Sequence, residues 1–554
     1  MSPVGGGKVT SDLWWKNAVV YCLDVESFHD ADGDGCGDLT GLCERIDYLA
    51  GLGISCVWLM PFYPSAQRDD GYDITDYYGV DRRLGTHGDL VELVRTARDR
   101  GIRVIADLVP NHTSDQHPWF AAARESRDNP YHEFYVWVDE KPEEKPGDVV
   151  FPDQENSNWA YDRRVRQWYL HRFYSHQPDL NVANPEVRDE IAQVAGFWLE
   201  QGLSGFRLDA VPFLLEPMGM PEGAIQDPHE LLRDLRAFMG RRSGEAILLG
   251  EVNLPPKDAA TFFGERGGEE LDLLFAFPVN QALYLSLARG SAAPLAKALQ
   301  DLPPIPDGCQ WAHFVRNHDE LTLDKLSEAE RQEVFAAFGP EPEQQMYGRG
   351  LRRRLPAMVD GDAARMRMIY SLMFSLPGTP VLFYGEEIGM AENPEVEGRY
   401  AVRAPMQWSS EAHGGFTVPD AVPVRPPLAD GPFGFPRVNV AAQRRDPESL
   451  MNWIERLIRR RRECPELGWG AWSLLEQADE AVFALRTDWG DSCIVTLHNL
   501  AGRDAEAAVP LDDGDATLVD LFGTGDLPAG ASVTLAPYGQ RWFRVRRPGQ
   551  RVAP

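Results

Sequence analysis

The sequence predicts an α/β protein built on a closed (β/α)8 TIM barrel. Eight short, almost wholly apolar runs recur along the chain, helix-like stretches separate them, and polar groups gather at the C-terminal ends of several runs. The runs are AVVYCLDV (18–25), SCVWLMPF (55–62), RVIADLVPNH (103–112), GFRLDAV (205–211), AILLGEV (246–252), LLFAFP (273–278), HFVRNHDE (313–320) and TPVLFYGEEIG (379–389). Near-continuous hydrophobicity is what a strand buried on both faces requires. Stretches such as RDEIAQVAGFWLEQ (188–201) and 228–241 space their apolar residues as a helix does and keep charge to one side. Eight such alternations close into a barrel, whose working rim is the C-terminal end of the strands. Asn111–His112, Arg207–Asp209, Glu251 and His318–Asp319 all fall at that rim.

The spacing breaks twice. The long interval 113–180, after the third strand, is rich in Trp, Tyr, His and Pro and reads as an inserted domain over the barrel mouth. The Pro/Gly-rich stretch 390–445, with PMQW and GGF inside it, reads as a lid or rim. The barrel is therefore expected over 1–112 and 181–470, and ESLMNWIERLIRRRRECPELG (448–468) is its last helix. Its basic run Arg459–Arg462 is expected to be a solvated helix face with snorkelled stems. Beyond it, AVFALRTD, SCIVTLHNL and RWFRVRR alternate like strands and predict a C-terminal β-sandwich over 471–554.

Composition narrows the function. With 43% hydrophobic residues and 15 Trp, the 554-residue chain has ample core for more than one domain and is not a mainly disordered protein. The net charge of −30 repels nucleic acid and anionic membranes, so neither is expected as a partner, and a small neutral substrate suits the surface. The seven cysteines (22, 36, 43, 56, 309, 464 and 493) form an odd set without metal-ligand spacing, which suits reduced thiols. No apolar signal core or membrane-length run is present, so the cytoplasm is the expected address. No phosphate loop or dinucleotide fingerprint survives in context, so no organic cofactor is expected. Self-association into a homo-oligomer stays open.

Chemistry is written at the strand ends. A buried carboxyl is costly unless it is paired or has a task. In GFRLDAV, Arg207 and Asp209 alternate on one strand face, and the guanidinium would keep Asp209 ionised, as a nucleophile requires. Glu251 closes an apolar strand, where desolvation should raise its pKa, as a general acid requires. Glycoside cleavage with retention uses two such groups, one to attack and one to protonate the leaving oxygen. His318–Asp319 would add hydrogen bonds and charge for an oxocarbenium-like transition state. Singly, each motif is bland: an Arg–Asp pair is usually structural, and a strand-end Glu usually sits on a solvated rim. Four in order on four barrel strands carry more weight.

The segments DLVPNH (107–112), GFRLDAV (205–211), GEVN (250–253) and FVRNHD (314–319) resemble the ordered regions of the α-amylase superfamily, glycoside hydrolase family 13. The resemblance spans nearly the whole chain. It implies Asp209 as nucleophile, Glu251 as acid/base and Asp319 as transition-state stabiliser, with His112, Arg207 and His318 around the glucosyl ring being transferred. QPDLN (177–181), HRFYSHQPDLN (171–181), PFYPSAQRDDGYDITDY (61–77), NHTSDQHPWF (111–120), RNHDELTL (316–323), GLRRRL (350–355), SLPGTPVLFYGEEIGM (375–390) and VRAPMQW (402–408) are most similar to the trehalose synthase branch. Members of that branch interconvert maltose and trehalose with some hydrolysis. The likeness implies an Asp73–Arg403 clamp on the terminal 4-hydroxyl, hence exo action on a disaccharide such as maltose, trehalose or another short α-glucoside. Tyr72 and Phe173 would stack on sugar faces, Phe213 and Trp408 would do so or pack in the core, and Asn253 would keep the transfer intramolecular. The sequence departs from the branch at GEVN, where an AEAN-like segment is usual, and at FAFPVNQALYLSL (275–287), both near the acceptor side. These departures leave open an exo-acting α-glucosidase that uses water. A non-catalytic carbohydrate-binding accessory protein is the alternative of another class, and it would lack the nucleophile or the acid.

Two structural metal sites are expected. DADGDGCGD (30–38) alternates oxygen donors, Asp30, Asp32, Asp34, the Cys36 carbonyl and Asp38, which would repel one another without Ca²⁺ or Mg²⁺. The family resemblance implies a second Ca²⁺ held by Asn111, Asp179, the carbonyls of Phe213 and Leu214, and Glu216.

Overall fold

A computed structural model describes residues 10–549 apart from 146, 148, 217, 221–224, 226, 266–267 and 512–513. Seven of the eight runs contain a barrel strand, and the seventh in order (313–320) holds only the last two residues of its strand: β1 (Val20–Leu23), β2 (Cys56–Leu59), β3 (Arg103–Leu108), β4 (Gly205–Leu208), β5 (Ile247–Gly250), β6 (Leu273–Phe275), β7 (Gln310–Phe314) and β8 (Thr379–Phe383). They pair in parallel in chain order, and β8 closes the barrel on β1 through Val20↔Val381. Every strand residue but Arg103 is buried. One face fills the barrel interior and the other meets helices, which is why the runs show no polar alternation.

The surrounding helices begin where the sequence caps them. α1 (His87–Asp99) opens with a Thr86–Asp89 capping box. α2 (Pro185–Glu200) opens with Asn184 accepting from Glu186 N and a proline in its first turn. Val187, Ile191, Val194, Ala195 and Trp198 form the face that α2 buries. Among the described residues no helix is long and apolar enough to cross a membrane.

The interval 113–180 holds a three-stranded antiparallel sheet (Trp137–Val138, Trp159–Asp162, Gln167–Leu170). Backbone bridges His112↔Asp179 and Tyr135↔Leu180 fasten its two ends together over β3. From Ala471 onward the chain forms a six-stranded antiparallel sheet with a two-stranded sheet against it. In Val482–Trp489, Val482 and Ala484 face the interior of this domain, whereas Phe483 and Leu485 join the barrel core, as a two-residue period dictates. The domain is keyed to α3 (Ala363–Ser375), where Ser371 Oγ lies 2.9 Å from both Trp542 Nε1 and His498 Nε2.

The structure adds a third excursion. After β7, a small sheet (Leu321–Thr322, Gln345–Met346, Gly350–Leu351) and a helix (Glu328–Phe338) rise beside the barrel mouth. Strands of two residues carry no periodicity, so only the two longer irregularities were legible. The lid stretch 390–445 is built of short 3-10 turns and one helix, Val440–Arg445.

The basic run on α4 (Leu450–Arg462) also needs correction. Arg459 pairs with Glu455 and Arg460 with Glu463 on the surface, but Arg461 is buried. Its guanidinium donates to the carbonyls of Phe374 (3.1 Å), Leu376 (3.3 Å) and Gly378. A helix end leaves such carbonyls without partners, and Arg461 satisfies those at the end of α3 from the neighbouring helix. Replacing Arg461 with Met should destabilise the protein by about 3 kcal/mol, because several buried carbonyls lose their donor. Arg460→Met should cost less than about 0.5 kcal/mol. Urea denaturation midpoints for the two variants check the contrast.

Candidate active site

The site is organised on three adjacent strands. Asp107 and Arg207 are register partners on β3 and β4, so their side chains meet inside the barrel. Arg207 is 2% exposed. It donates through Nη1 to Asp107 Oδ1 at 2.6 Å and Asp209 Oδ1 at 2.5 Å, and through Nη2 to Glu251 Oε2 at 2.7 Å. Glu251 Oε2 also accepts from Ala210 N at 3.1 Å. Asp107, within the DLVPNH segment, was not singled out in the sequence, yet it is the buried third carboxylate of this cluster.

Burial raises both Asp209 and Glu251. Desolvation pushes Asp209 up to about 6 in spite of Arg207 beside it, with Asp107 adding repulsion. Glu251 is pushed up to about 7, by burial first and then by Asp209 and Asp319, against the pull of Arg207. Asp209 is thus the more readily ionised of the pair and Glu251 the better proton carrier. Burial opposes the charge on Asp319, but His318, Arg399 and Arg403 around it hold its carboxyl far below the usual range. His318 is itself kept neutral by burial, down to about 3, so the two arginines carry that effect.

These groups open into a cavity of about 400 Å³ lined by Asp69, Tyr72, His112, Phe151, Phe173, Asp209, Phe213, Phe277, Glu251, Asn253, Asp319 and Arg399, among others. Its size falls in the ordinary range for small-molecule sites. Tyr72, His112, Phe173 and Asn253 therefore reach the cavity as expected. Arg207 and His318 stand behind it. His318 Nε2 lies 2.8 Å from Tyr72 OH and 3.1 Å from Asp319 Oδ2, and its ring stacks on Tyr72. His112 Nε2 lies 3.2 Å from the Tyr72 carbonyl, and burial keeps this imidazole neutral, at about 3. Phe213 lines the cavity, whereas Trp408 packs in the core, donating to the Phe28 carbonyl at 2.7 Å.

The expected Asp73–Arg403 clamp does not form. Asp73 is fully buried, and its carboxylate accepts from the backbone N–H groups of Arg68 (3.1 Å) and Asp69 (3.2 Å). Arg403 donates to Asp70 Oδ2 at 2.6 Å and to Asp319 Oδ1 at 3.1 Å, beneath the cavity floor. The clamp that faces the cavity is Asp69–Arg399, with Arg399 Nη2 2.7 Å from Asp69 Oδ1 and Nη1 2.6 Å from Asp319 Oδ1. Gln67, Asp70 and Gly71 all adopt positive φ, so the loop twists and turns Asp69, rather than the Asp73 that the likeness implied, toward the cavity.

On the other side of the cavity, Asn253 Nδ2 lies 3.1 and 3.2 Å from the two oxygens of Asp324. Gln281 Nε2 and Lys325 Nζ reach the same carboxylate at 2.9 and 2.8 Å. Asn253 Oδ1 is buried without a partner. Glu320, Thr322, Asp324, Lys325 and Arg349 all come from the excursion after β7.

The metal residues divide. Carboxylate oxygens of Asp30, Asp32 and Asp38 lie within 4.8 Å of one another, a hard-oxygen set fit for a divalent ion. Asp34 stands apart, accepting from Cys36 N at 2.7 Å. At the second set, Arg172 occupies the cationic position: Nη1 lies 2.6 Å from Glu216 Oε2 and Nε 3.6 Å from Asp179 Oδ2. Burial raises Asp179 to about 7, against Arg172 and a hydrogen bond from Asn111. His171 and His176 lie in the inserted domain, where His176 stacks on Tyr174.

Comparison with known proteins agrees with this geometry. The model of the alpha amylase catalytic domain matches residues 23–334 and 352–470. The chain is 39% identical to the trehalose synthase of Pimelobacter sp. (strain R48) over 97% of this chain and 96% of that protein. It is 27% identical to the oligo-1,6-glucosidase of Parageobacillus thermoglucosidasius, over 97% of this chain and 100% of that one. A crystal structure of a trehalulose synthase mutant in complex with Tris superposes with a TM-score of 0.79 at 27% identity, covering 96% of this chain and 100% of that chain. The chain belongs to the alpha-amylase family.

Turnover at this cavity should show a bell-shaped pH profile. The acid limb falls as Asp209 takes up a proton near about 6, and the alkaline limb falls as Glu251 loses its own near about 7. A kcat/KM profile that stays flat from about pH 5 to about pH 9 would contradict the division of roles.

Proposed function

We propose that this protein interconverts maltose and trehalose by double displacement, with some hydrolysis. The observation that carries the reading is the Arg207-centred cluster inside a small, exo-type cavity, in a chain that matches a trehalose synthase almost end to end. Asp209 attacks the anomeric carbon while Glu251 protonates the leaving oxygen. Glu251 then draws a proton from the returning hydroxyl of the held glucose, or from water. The Asp69–Arg399 pair closes the non-reducing end, so a longer chain cannot pass. Holding the released glucose lifts its effective molarity above that of water, which is what turns a hydrolase into a mutase.

An exo-acting α-glucosidase on the same scaffold is the second reading, favoured by the oligo-1,6-glucosidase relative and by the unusual acceptor side. A non-catalytic accessory protein gains nothing from three buried, differently tuned carboxyls. Seven unpaired thiols suit a reducing compartment such as the cytoplasm. Ca²⁺ or Mg²⁺ on Asp30, Asp32 and Asp38 would supply fixed charge that ties the loop down. A second Ca²⁺ on Asn111, Asp179, Glu216 and the Phe213 and Leu214 carbonyls would have to share its carboxylates with Arg172.

Proton NMR of anomeric signals during incubation with maltose tests the reading. Trehalose should appear faster than glucose, and Asn253→Ala should raise glucose release relative to trehalose. Glucose alone would make the protein a hydrolase. For the metals, EDTA should lower the melting temperature and added Ca²⁺ restore it; an unchanged melting temperature would argue against both sites.

A further inference from the structure

Behind the cavity, the lid stretch sends a further charged side chain inward, beyond Arg399 and Arg403. Arg425 is buried, and its Nη1 donates to Asp24 Oδ2 at 2.8 Å and Ser27 Oγ at 2.7 Å. Its Nη2 donates to Glu26 Oε1 at 3.0 Å and to Asp70 Oδ1. Asp70 is shared, for its other oxygen accepts from Arg403, which continues to Asp319 Oδ1 at 3.1 Å and the His318 carbonyl at 2.8 Å. Arg425 Nη1 also lies 3.3 Å from the Arg403 carbonyl. An unbroken chain of ion pairs thus runs from the lid to the carboxylate at the cavity wall.

Asp70 stands at φ 51°, between Gln67 at 60° and Gly71 at 90°. A non-glycine residue keeps such a conformation when its surroundings over-determine it. The same loop presents Asp69 and Tyr72 to the cavity. Two guanidiniums, one on each oxygen of Asp70, are what hold it there.

We propose that Arg425 is a positioning residue for the glucosyl-transfer site. It touches no substrate, but by fixing Asp70 and the Arg403 backbone it keeps Asp319 and the 67–72 loop in working register. The role rests on reading the cavity as an α-glucoside site. Arg83 provides the contrast: it binds Glu26 Oε2 at 2.6 Å and Asp81, within the same network, yet no contact with Asp70 links it to the chain toward Asp319.

The experiment compares Arg425→Lys, Asp70→Asn and Arg83→Met on maltose and trehalose. Lysine keeps the charge but cannot reach all five acceptors in a planar fork. Both network cations should lower the melting temperature when replaced. Arg425→Lys and Asp70→Asn should lower kcat by about 10- to 100-fold, with KM changed by less than about threefold because Arg399 still holds Asp69. Arg83→Met should leave kcat within about twofold. Arg425→Ala, assayed below its melting temperature, should recover part of its kcat when guanidinium is added. Folded Arg425→Lys or Asp70→Asn with parental kcat would overturn the role, and so would an Arg83→Met loss as large as theirs. If Arg425→Lys does not fold, Asp70→Asn decides. A parent protein inactive on both sugars would instead overturn the functional reading, and this role with it.

Discussion

One guanidinium governs the active site. Arg207 is buried on β4 and answers three carboxylates on three consecutive strands. Without it, Asp107, Asp209 and Glu251 would be like charges crowded into a poorly solvated space, and removing one partner from such a cluster is far more costly than a surface ion pair. With it, none of the three is neutralised completely. Arg207 is shared, so burial still raises both Asp209 and Glu251. The barrel contributes the geometry that makes the sharing feasible: parallel register sets Asp107 level with Arg207, and Asp209 and Glu251 follow two residues further along their own strands.

Most of this was legible because each catalytic element is one short strand with its chemistry at the end. Seven of the eight runs contain a strand and the run at 313–320 overlaps the end of β7, and Asp209, Glu251 and Asp319 line one cavity. What escaped lies in loops. The floor clamp shifted from Asp73 and Arg403 to Asp69 and Arg399, in both cases four residues toward the N-terminus. Positive-φ residues on the first loop and a 3-10 turn (Gly398–Arg403) on the second turn side chains inward other than those the family likeness implied. Arg172, poised between Asp179 and Glu216, likewise lay inside a quoted motif, but only the fold shows that its guanidinium reaches both carboxylates.

The two segments that carry departures from the trehalose synthase pattern meet on one carboxylate. GEVN contributes Asn253 and the 275–287 stretch contributes Gln281, and both amides end on Asp324. Asp324 belongs to the excursion after β7, which the sequence did not reveal. Lys325 joins from the same segment, its backbone N–H donating to Gln281 Oε1 at 2.8 Å. This side of the cavity is therefore a network assembled from the segments after β5, β6 and β7, whose members are coupled through Asp324.

The inserted domain has a neck. His112 and Asp179, at its entrance and exit, are bridge partners, and Tyr135↔Leu180 seals the join. A segment whose ends already touch imposes no span on its host, so its length is nearly free of entropic consequence for the barrel. Such a unit behaves as a cassette: the stretch between the bridge partners can lengthen, shorten or be traded between relatives while β3 and β4 keep their register. Diversity at the roof of the cavity can then accumulate without disturbing the charge cluster beneath it.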